Sequence, residues 1–250
     1  MNTKAYYAKK AKYYDIINAH KYREADGEVR FFREKLRKFN RGAKTILDVG
    51  CGTGRLSVPL SRMGFKVLGI DNSKEMLAIA KKKSNRNLRF ELADLRTYKS
   101  TEKFDCAICG DASLATFMSR STLVKALRGI CRNLKDEGVF FYDVWNYAEY
   151  KNWMPVSSRT EKRKDGEITL IRKTNVDPNG IYKFSDTISV KTGIKSYVLK
   201  MTYTSKVWRY REWSKIFREA GFRTVKCYSG LKHIRHFKGV PDRLYFMALK

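Results

Sequence analysis

Hydrophobic and polar positions alternate in blocks along the first 145 residues, and these blocks predict strands and helices in turn. Short apolar runs typical of buried strands occupy residues 45–49, 66–70, 88–92, 104–109 and 139–145. Between the last two runs, apolar side chains recur at helical spacing at Leu123, Leu127, Ile130 and Leu134. Strands that alternate with helices predict an α/β fold, a parallel sheet with helices on both faces.

The pattern changes after residue 150. The next segment is polar and alternating and contains turn sequences such as Asp177-Pro-Asn-Gly180, which predict a small antiparallel β insert. The core pattern then returns with a helix around Trp213 and two further strands. We therefore expect a helical cap at residues 1–40, the core at 41–149, the insert at 150–206 and the return to the core at 207–250.

The net charge is strongly positive, +28 from 53 basic and 25 acidic residues, and the excess is densest at the two ends of the chain. One interpretation is a lysine-rich solvated surface, and the other is a surface that binds nucleic acid or phosphate groups. No apolar run approaches the length of a membrane span, and no apolar segment follows the first lysines as in a secretory signal. We therefore expect a cytoplasmic protein without a membrane partner.

The cysteines predict neither a disulfide framework nor a metal site. There are five of them, an odd number that is scattered along the chain, so we expect reduced thiols. Cys106 and Cys109 form a CxxC pair, but it lies in an apolar run and has no second pair of ligands. Core packing is the better interpretation of that pair.

The central motif is Ile46-Leu-Asp-Val-Gly-Cys-Gly-Thr-Gly54, a strand that runs into alternate glycines and then a helix. Glycines let the backbone turn tightly and approach a ligand without Cβ clashes. A dinucleotide fingerprint would need glycine at position 55, where Arg55 stands, so the spacing disfavours NAD. Asp71 follows the second strand, where a carboxylate can accept hydrogen bonds from a ribose diol, and Asp94 follows the third, where it can accept from an adenine amine.

Four successive motifs, ILDVGCGTG, GIDNS followed by Met76, Asp94-Leu95 and FDCAICGDAS, resemble those of the class I S-adenosylmethionine (SAM)-dependent methyltransferases. The similarity is close over about residues 44–145. It implies a Rossmann-like fold with a mostly parallel, seven-stranded sheet, and SAM as the cofactor. The implied roles are as follows: Asp48, Gly50, Cys51, Gly52 and Gly54 line the methionine part of SAM, Asp71 holds the ribose, Asn72 and Met76 flank the adenine, Asp94 and Leu95 meet its edge, and Gly110 with Asp111 closes the floor.

The flanks Tyr13-Tyr14-Asp15 and Val207-Trp-Arg-Tyr210 resemble a subfamily of small-molecule methyltransferases whose members methylate amino sugars or glycine. The resemblance implies that Tyr14 contacts the cofactor and that the insert shapes the acceptor site. A surface aromatic on an amphipathic helix is the other interpretation of Tyr14. A core methionine is the alternative role for Met76.

We therefore expect methyl transfer from SAM to a nitrogen or oxygen of a small molecule, with an anionic acceptor favoured by the charge. Candidates for a general base are Asp111, His233 and His236, although each histidine is also typical of a solvated loop. The alternative is an RNA methyltransferase that uses its basic surface, although Gly110-Asp-Ala-Ser113 lacks the signature of many amino-group nucleic-acid methyltransferases. A third hypothesis is a binding module without catalysis.

Overall fold

The computed structural model describes residues 3–145, 156–193, 195–229 and 243–250. The helices are α1 (Thr3–Ile17), α2 (Ala19–Phe39), α3 (Ser57–Arg62), α4 (Lys74–Ala80), α5 (Arg120–Asn133) and α6 (Tyr210–Glu219), with short 3-10 turns at Lys81–Lys83 and Ser113–Thr116. The strands are β1 (Thr45–Val49), β2 (Lys66–Asp71), β3 (Leu88–Leu92), β4 (Phe104–Cys109), β5 (Leu134–Trp145), β6 (Val156–Arg163), β7 (Gly166–Val176), β8 (Ile181–Thr192), β9 (Lys195–Lys206), β10 (Thr224–Ser229) and β11 (Arg243–Leu249).

The larger sheet has seven strands in the order β10-β11-β5-β4-β1-β2-β3. All neighbours pair in parallel except β11, which runs antiparallel to both β5 and β10. This confirms the predicted Rossmann-like, mostly parallel architecture. The order in which strands are added to the sheet reverses at β1: β2 and β3 lie on one side of it, and β4 lies on the other. This change of order creates a crevice at the carboxyl ends of these parallel strands.

Two boundaries differ from the sequence-based expectation. The predicted helix after the glycines begins at Ser57, because residues 50–56 are used for the loop and its turns. Leu134, expected at the end of a helix, instead starts β5, since the helix ends at Asn133. Asn133 is buried and its side chain is held by the carbonyls of Gly129 and Tyr98.

Helices cover both faces of the seven-stranded sheet. Apolar side chains of β1 alternate between the two cores: Ile46 faces α2, α3 and α4, and Leu47 faces α5 and α6. Cys106 and Cys109 are both buried in these cores, which confirms their structural role. Within the described residues, no helix is long and apolar enough to cross a membrane.

The smaller sheet is antiparallel, with strand order β6-β7-β8-β9. One face packs on α1 through a separate apolar cluster that includes Tyr6, Tyr13, Ile17, Ile168, Ile188 and Met201. Helix α2, in contrast, packs on the core of the larger sheet through Val29 and Phe32. The two amino-terminal helices therefore pack on different sheets, and α1 connects the insert with the core.

Candidate active site

Residues 50–54, which we call the glycine loop, are fixed by backbone hydrogen bonds to the neighbouring strand. The N–H groups of Gly50 and Cys51 donate to the carbonyl of Ile70 at 2.8 and 3.0 Å. Gly50 and Gly52 both have positive φ, 66° and 56°, so other residues would strain the loop at these positions. The tight bend brings backbone groups to the carboxyl edge of the sheet, where a ligand can approach them.

Asp71, at the end of β2, holds the loop from the other side. One carboxylate oxygen accepts the N–H of Gly52 at 2.8 Å, and the other accepts the N–H of Ser73 at 2.9 Å. Ser73 in turn caps α4 by accepting the N–H of Met76 at 3.3 Å, as its position predicts. Burial raises the pKa of Asp71, and these N–H donors oppose that shift. The carboxylate is therefore placed rigidly at the crevice.

Asp48 lies deeper, on β1. It is fully buried and accepts a short hydrogen bond from the hydroxyl of Ser57, the first residue of α3. Burial raises the pKa of Asp48 to about 6, against the lowering effect of the Ser57 hydroxyl. The side chain thus ties the first strand to the helix that follows the glycine loop.

A cavity of about 640 Å³ opens at the carboxyl ends of β1, β2, β3 and β4. Its size is within the range of small-molecule and cofactor sites. The predicted cofactor residues that border it are Tyr14, Asp48, Gly50, Cys51, Gly52, Asp71, Asn72, Met76, Asp94, Leu95 and Gly110, together with Asp111. Gly54 does not border it. Its φ is 88° and a Cβ at this position would lie 3.0 Å from the Phe90 ring, so glycine is needed for the turn into the helix.

Sequence reasoning identified Tyr14 but missed the other residues of α1 that line the cavity. Thr3, Lys4 and Tyr7 line it beside Tyr14. Tyr7 precedes Tyr14 by two helical turns, so this spacing could have identified it. The 3-10 turn after β4 contributes Phe117 to the opposite side. The cavity therefore extends from the glycine loop towards an aromatic end.

Tyr7 contacts two other tyrosines, Tyr14 in the wall of the cavity and Tyr203, which is not among the residues that border it. The rings of Tyr7 and Tyr14 are 6.2 Å apart, and the Tyr7 ring is 6.3 Å from that of Tyr203 on β9. Burial raises the pKa of all three hydroxyls, that of Tyr203 to about 12. The hydroxyls are therefore neutral at physiological pH, and that of Tyr14 lies 3.5 Å from a carboxylate oxygen of Asp111.

Asp111 and Ala112 form an unusual bend after β4, with φ of 57° and 58°. Asp143 of β5 holds this bend, since its side chain accepts the N–H of Asp111 at 2.9 Å and its carbonyl accepts the N–H of Ala112 at 3.1 Å. Left-handed backbone at two consecutive non-glycine residues is strained and is found mostly at functional sites.

Ion pairs surround the carboxylate of Asp111. Lys21 donates to one oxygen at 2.5 Å and Arg243 to the other at 3.0 Å. Burial alone raises the pKa of Asp111, but the nearby Lys21 and Arg243 cations outweigh it and hold that pKa well below its usual range. Asp111 is therefore an ionised carboxylate of low basicity.

The charged groups that border the cavity are mixed in sign, with the bases Lys4, Arg55 and Arg96 and the acids Asp48, Asp71, Asp94 and Asp111. The large positive excess of the chain thus does not extend into the cavity. Groups of three or more potential metal ligands are absent from the part of the chain that the structure describes. His233 and His236 lie outside the described residues.

This arrangement fits the adenosyl and methionine parts of SAM. Gly50 and Gly52 leave space that a side chain would fill, since a Cβ at these positions would lie 3.2 Å from Ser113 and 3.4 Å from Met76. A glycine loop after the first strand and an acid after the second define a Rossmann-like protein that binds a nucleoside-containing ligand at the switch point of its sheet.

Comparisons with known proteins specify the family. Residues 46–138 match the model of a methyltransferase domain. An uncharacterized protein of Methanocaldococcus jannaschii is 32% identical over 82% of this chain and 78% of its own. A protein of Geobacillus sp. (strain WCH70) that is named as a methyltransferase is 37% identical, but the match spans 48% of this chain and only 50% of that one.

Among solved structures, the SAM-bound amino pentose methyltransferase CalS10 of Micromonospora echinaspora shares the fold with a TM-score of 0.74, at 17% identity over 93% of this chain and 94% of the other. Relatives also include N-methyltransferases named for glycine and for amino sugars. The chain belongs to the class I SAM-dependent methyltransferases, and SAM is its cofactor.

Proposed function

We propose that the chain transfers the methyl group of SAM to a nitrogen or oxygen atom of a small molecule. The observation that carries this proposal is the cavity, which continues from the glycine loop to the aromatic end formed by Tyr7, Tyr14 and Phe117. Helix α1 covers this end and is itself packed on the antiparallel sheet. Relatives that methylate glycine or amino sugars support an acceptor of this size.

The proposed cofactor contacts follow the lining of the cavity. Asp71 binds the ribose. The adenine is surrounded by Asn72, Met76, Asp94 and Leu95. The glycine loop, together with Asp48 and Gly110, contacts the methionine part. In the domain division that we propose, α1 and the antiparallel insert form the acceptor side of the core. In this proposal Tyr14 lies between SAM and the acceptor.

SAM supplies an electrophilic methyl group, so the protein's own contribution is to align the acceptor and to exclude water. The aromatic end performs both tasks in the proposed mechanism. The neutral hydroxyls of Tyr7 and Tyr14 can donate to or accept from the acceptor atom, and the rings shield it from solvent. An amine acceptor must react as its free base. Burial against these rings disfavours its cation, whereas the Asp111 carboxylate near Tyr14 opposes that effect.

Asp111 is a predicted general base, and its geometry favours a different role. Its low pKa makes it a poor proton acceptor, whereas its contacts with Tyr14 and Lys21 allow it to orient both groups. We therefore propose Asp111 as a positioning residue. His233 stays a candidate base on sequence grounds alone.

RNA is the alternative acceptor, favoured by the net charge of +28. The mixed charges inside the cavity give no support for an anionic acceptor at the site of transfer, so that expectation depends on the outer surface alone. A binding module without catalysis is the remaining alternative.

The deciding experiment is incubation with SAM carrying a labelled methyl group, in parallel with a small-metabolite extract and with total cellular RNA. We expect label in a metabolite fraction that is lost in the Asp71→Asn variant. Label in RNA alone would contradict the small-molecule proposal. Label in neither fraction, together with intact SAM binding by calorimetry, would favour the binding module.

A further inference from the structure

Arg55, the first residue after the glycine loop, has one terminal nitrogen without a partner. The residue is only 7% exposed. Its Nη1 donates to the carboxylate of Glu28 at 2.6 Å and approaches the carbonyl of Lys21 at 3.5 Å. Its Nη2 is also buried and has no hydrogen-bond partner in the ranges that the structure describes. Buried guanidinium N–H groups without an acceptor are costly, so this nitrogen indicates a ligand.

The neighbouring carboxylates do not compensate Arg55 fully. Glu28 is shared, since its other oxygen accepts from Arg243 at 3.0 Å. Asp111 and Asp143 also lie 3.0 Å from Arg243. All three acids therefore contact Arg243, while Arg55 pairs with one of them through one nitrogen. The positive charge of Arg55 is the less compensated of the two buried guanidinium groups.

The unpartnered nitrogen lies at the methionine end of the proposed SAM site. Arg55 borders the cavity, and a Cβ on Gly110 would lie 3.1 Å from its Nη2, so glycine leaves the approach open. Gly110 directly follows β4, and Asp71 ends β2, with β1 between the two strands. Two strand spacings, about 10 Å, therefore separate the carboxylate at the ribose end from the cation at the other end.

We propose that Arg55 binds the carboxylate of the methionine part of SAM through Nη2. The carboxylate is the one anionic group of SAM, and the sulfonium and ammonium groups would be repelled by a guanidinium ion. Arg55 and Asp71 together thus orient the cofactor along the crevice. The proposal depends on the cofactor site and not on the identity of the acceptor, although a carboxylate on the acceptor is the other ligand with this chemistry.

The test is a thermodynamic cycle measured by calorimetry without any acceptor. S-adenosylhomocysteine and its decarboxylated analogue are each titrated into the wild-type protein and into the Arg55→Met and Arg55→Lys variants. We expect the wild type to bind the decarboxylated analogue about 10- to 100-fold more weakly. In Arg55→Met the two ligands should bind with affinities within about threefold of each other, because the carboxylate has lost its partner.

The matched control is Arg96→Met, since Arg96 borders the same cavity but pairs with Asp94 at the adenine side. Its ratio of the two affinities should equal that of the wild type. A ratio in Arg55→Met that also equals the wild-type ratio would show a structural role and overturn the proposal. Equal affinities of the wild type for both ligands would overturn it too and would direct Arg55 towards an acceptor carboxylate. That result needs no variant to fold.

Failure of the wild type to bind either ligand would instead contradict the cofactor assignment. The small-molecule acceptor proposal fails by a different result, namely label in RNA alone. The Arg55→Lys variant keeps the cation beside Glu28 but has a single donor group. We expect it to unfold at nearly the wild-type temperature and still to lose most of the preference for the carboxylate, which separates ligand recognition from folding.

Discussion

Arg243 and Asp111 are 132 positions apart in the sequence, yet the guanidinium of Arg243 donates to the carboxylate of Asp111 at 3.0 Å. Arg243 starts the last strand and also contacts Glu28 and Asp143. Its guanidinium carbon lies 4.2 Å from the centre of the Trp145 ring. The final strand thus supplies a cation that binds Asp111 in the strained bend after β4. The last strand therefore helps to fix a residue that borders the cavity.

Replacement of Arg243 by methionine should destabilise the fold strongly, because two buried acids, Glu28 and Asp143, and the partly buried Asp111 would lose a shared cation. Breaking a buried ion pair by removing one partner costs about 3 to 5 kcal/mol. Urea unfolding measures the change in free energy. The control is Arg223→Met, whose exposed pair with Glu137 should contribute less than about 1 kcal/mol. Equal losses in the two variants would contradict the central role of Arg243.

The glycine loop and the first strands could be predicted from the sequence because their signals are local. A run such as Thr45–Val49, which is followed directly by glycine, specifies both the strand and the turn within a few residues. Asp71 could be placed for the same reason, since it ends a buried strand. Neighbouring parallel strands have their carboxyl ends at the same edge of the sheet, so the sequence also predicts that Asp71 lies close to the glycine loop.

The ion pairs around Asp111 could not be predicted, because they join α2, β5 and β11 across long stretches of chain. Tyr7 was missed for a different reason, since its helical spacing from Tyr14 was available in the sequence, although its place in the wall also depends on how α1 packs on the insert. Arg55 served in the sequence only to disfavour a dinucleotide motif. Its burial and its unpartnered nitrogen become visible only when Glu28 and Gly110 are placed around it.

The Asp71→Asn variant should bind S-adenosylhomocysteine about 10- to 100-fold more weakly, since an amide is a poorer acceptor for the ribose hydroxyls than a carboxylate. Calorimetry measures this affinity. The decarboxylated analogue should lose the same factor, because Asp71 is proposed to contact the ribose that both ligands share. The control is Glu34→Gln, an exposed change on α2 at a residue that does not border the cavity. Unchanged affinity in Asp71→Asn would contradict the ribose contact.

Gly69 on β2 allows the glycine loop to approach the sheet closely. A Cβ at this position would lie 2.5 Å from the Phe90 ring and 2.9 Å from the sulfur of Cys51. Gly69→Ala should therefore destabilise the protein by about 1 to 3 kcal/mol through overpacking. It should also weaken SAM binding, because Cys51 belongs to the loop. Thermal unfolding and calorimetry measure the two effects.

The control for Gly69→Ala is Gly42→Ala, where a Cβ would meet nothing closer than 3.8 Å. That change should leave stability within about 1 kcal/mol of the wild type. The double variant Gly69→Ala, Phe90→Leu should recover part of the loss, because leucine is smaller than phenylalanine. Absence of any recovery would show that the contact with Phe90 does not limit the packing.

Lys10 should make stability depend on pH. It is buried between α1 and the antiparallel sheet, where it donates to the hydroxyl of Tyr6 at 2.8 Å and to the carboxylate of Asp186 at 3.0 Å. Burial, with a smaller contribution from the Arg172 cation, lowers the pKa of Lys10 to about 7, although Asp186 opposes that shift. Between pH 7 and the ordinary pKa of lysine, the unfolded chain therefore binds more protons than the folded chain, and the free energy of unfolding rises with pH.

The Lys10→Met variant isolates this effect, because Arg172 still pairs with Asp186 at 2.7 and 2.9 Å. The stability of the wild type relative to Lys10→Met should rise between pH 7 and 10, by at most about 1.4 kcal/mol per pH unit. Urea unfolding at several pH values measures this difference. The control is Lys12→Met, which removes a lysine from an exposed position on the same helix, and the pH slope for Lys10→Met is compared with the slope for this variant. A difference for Lys10→Met that is constant or falls over this range would show that Lys10 keeps its proton in the folded protein.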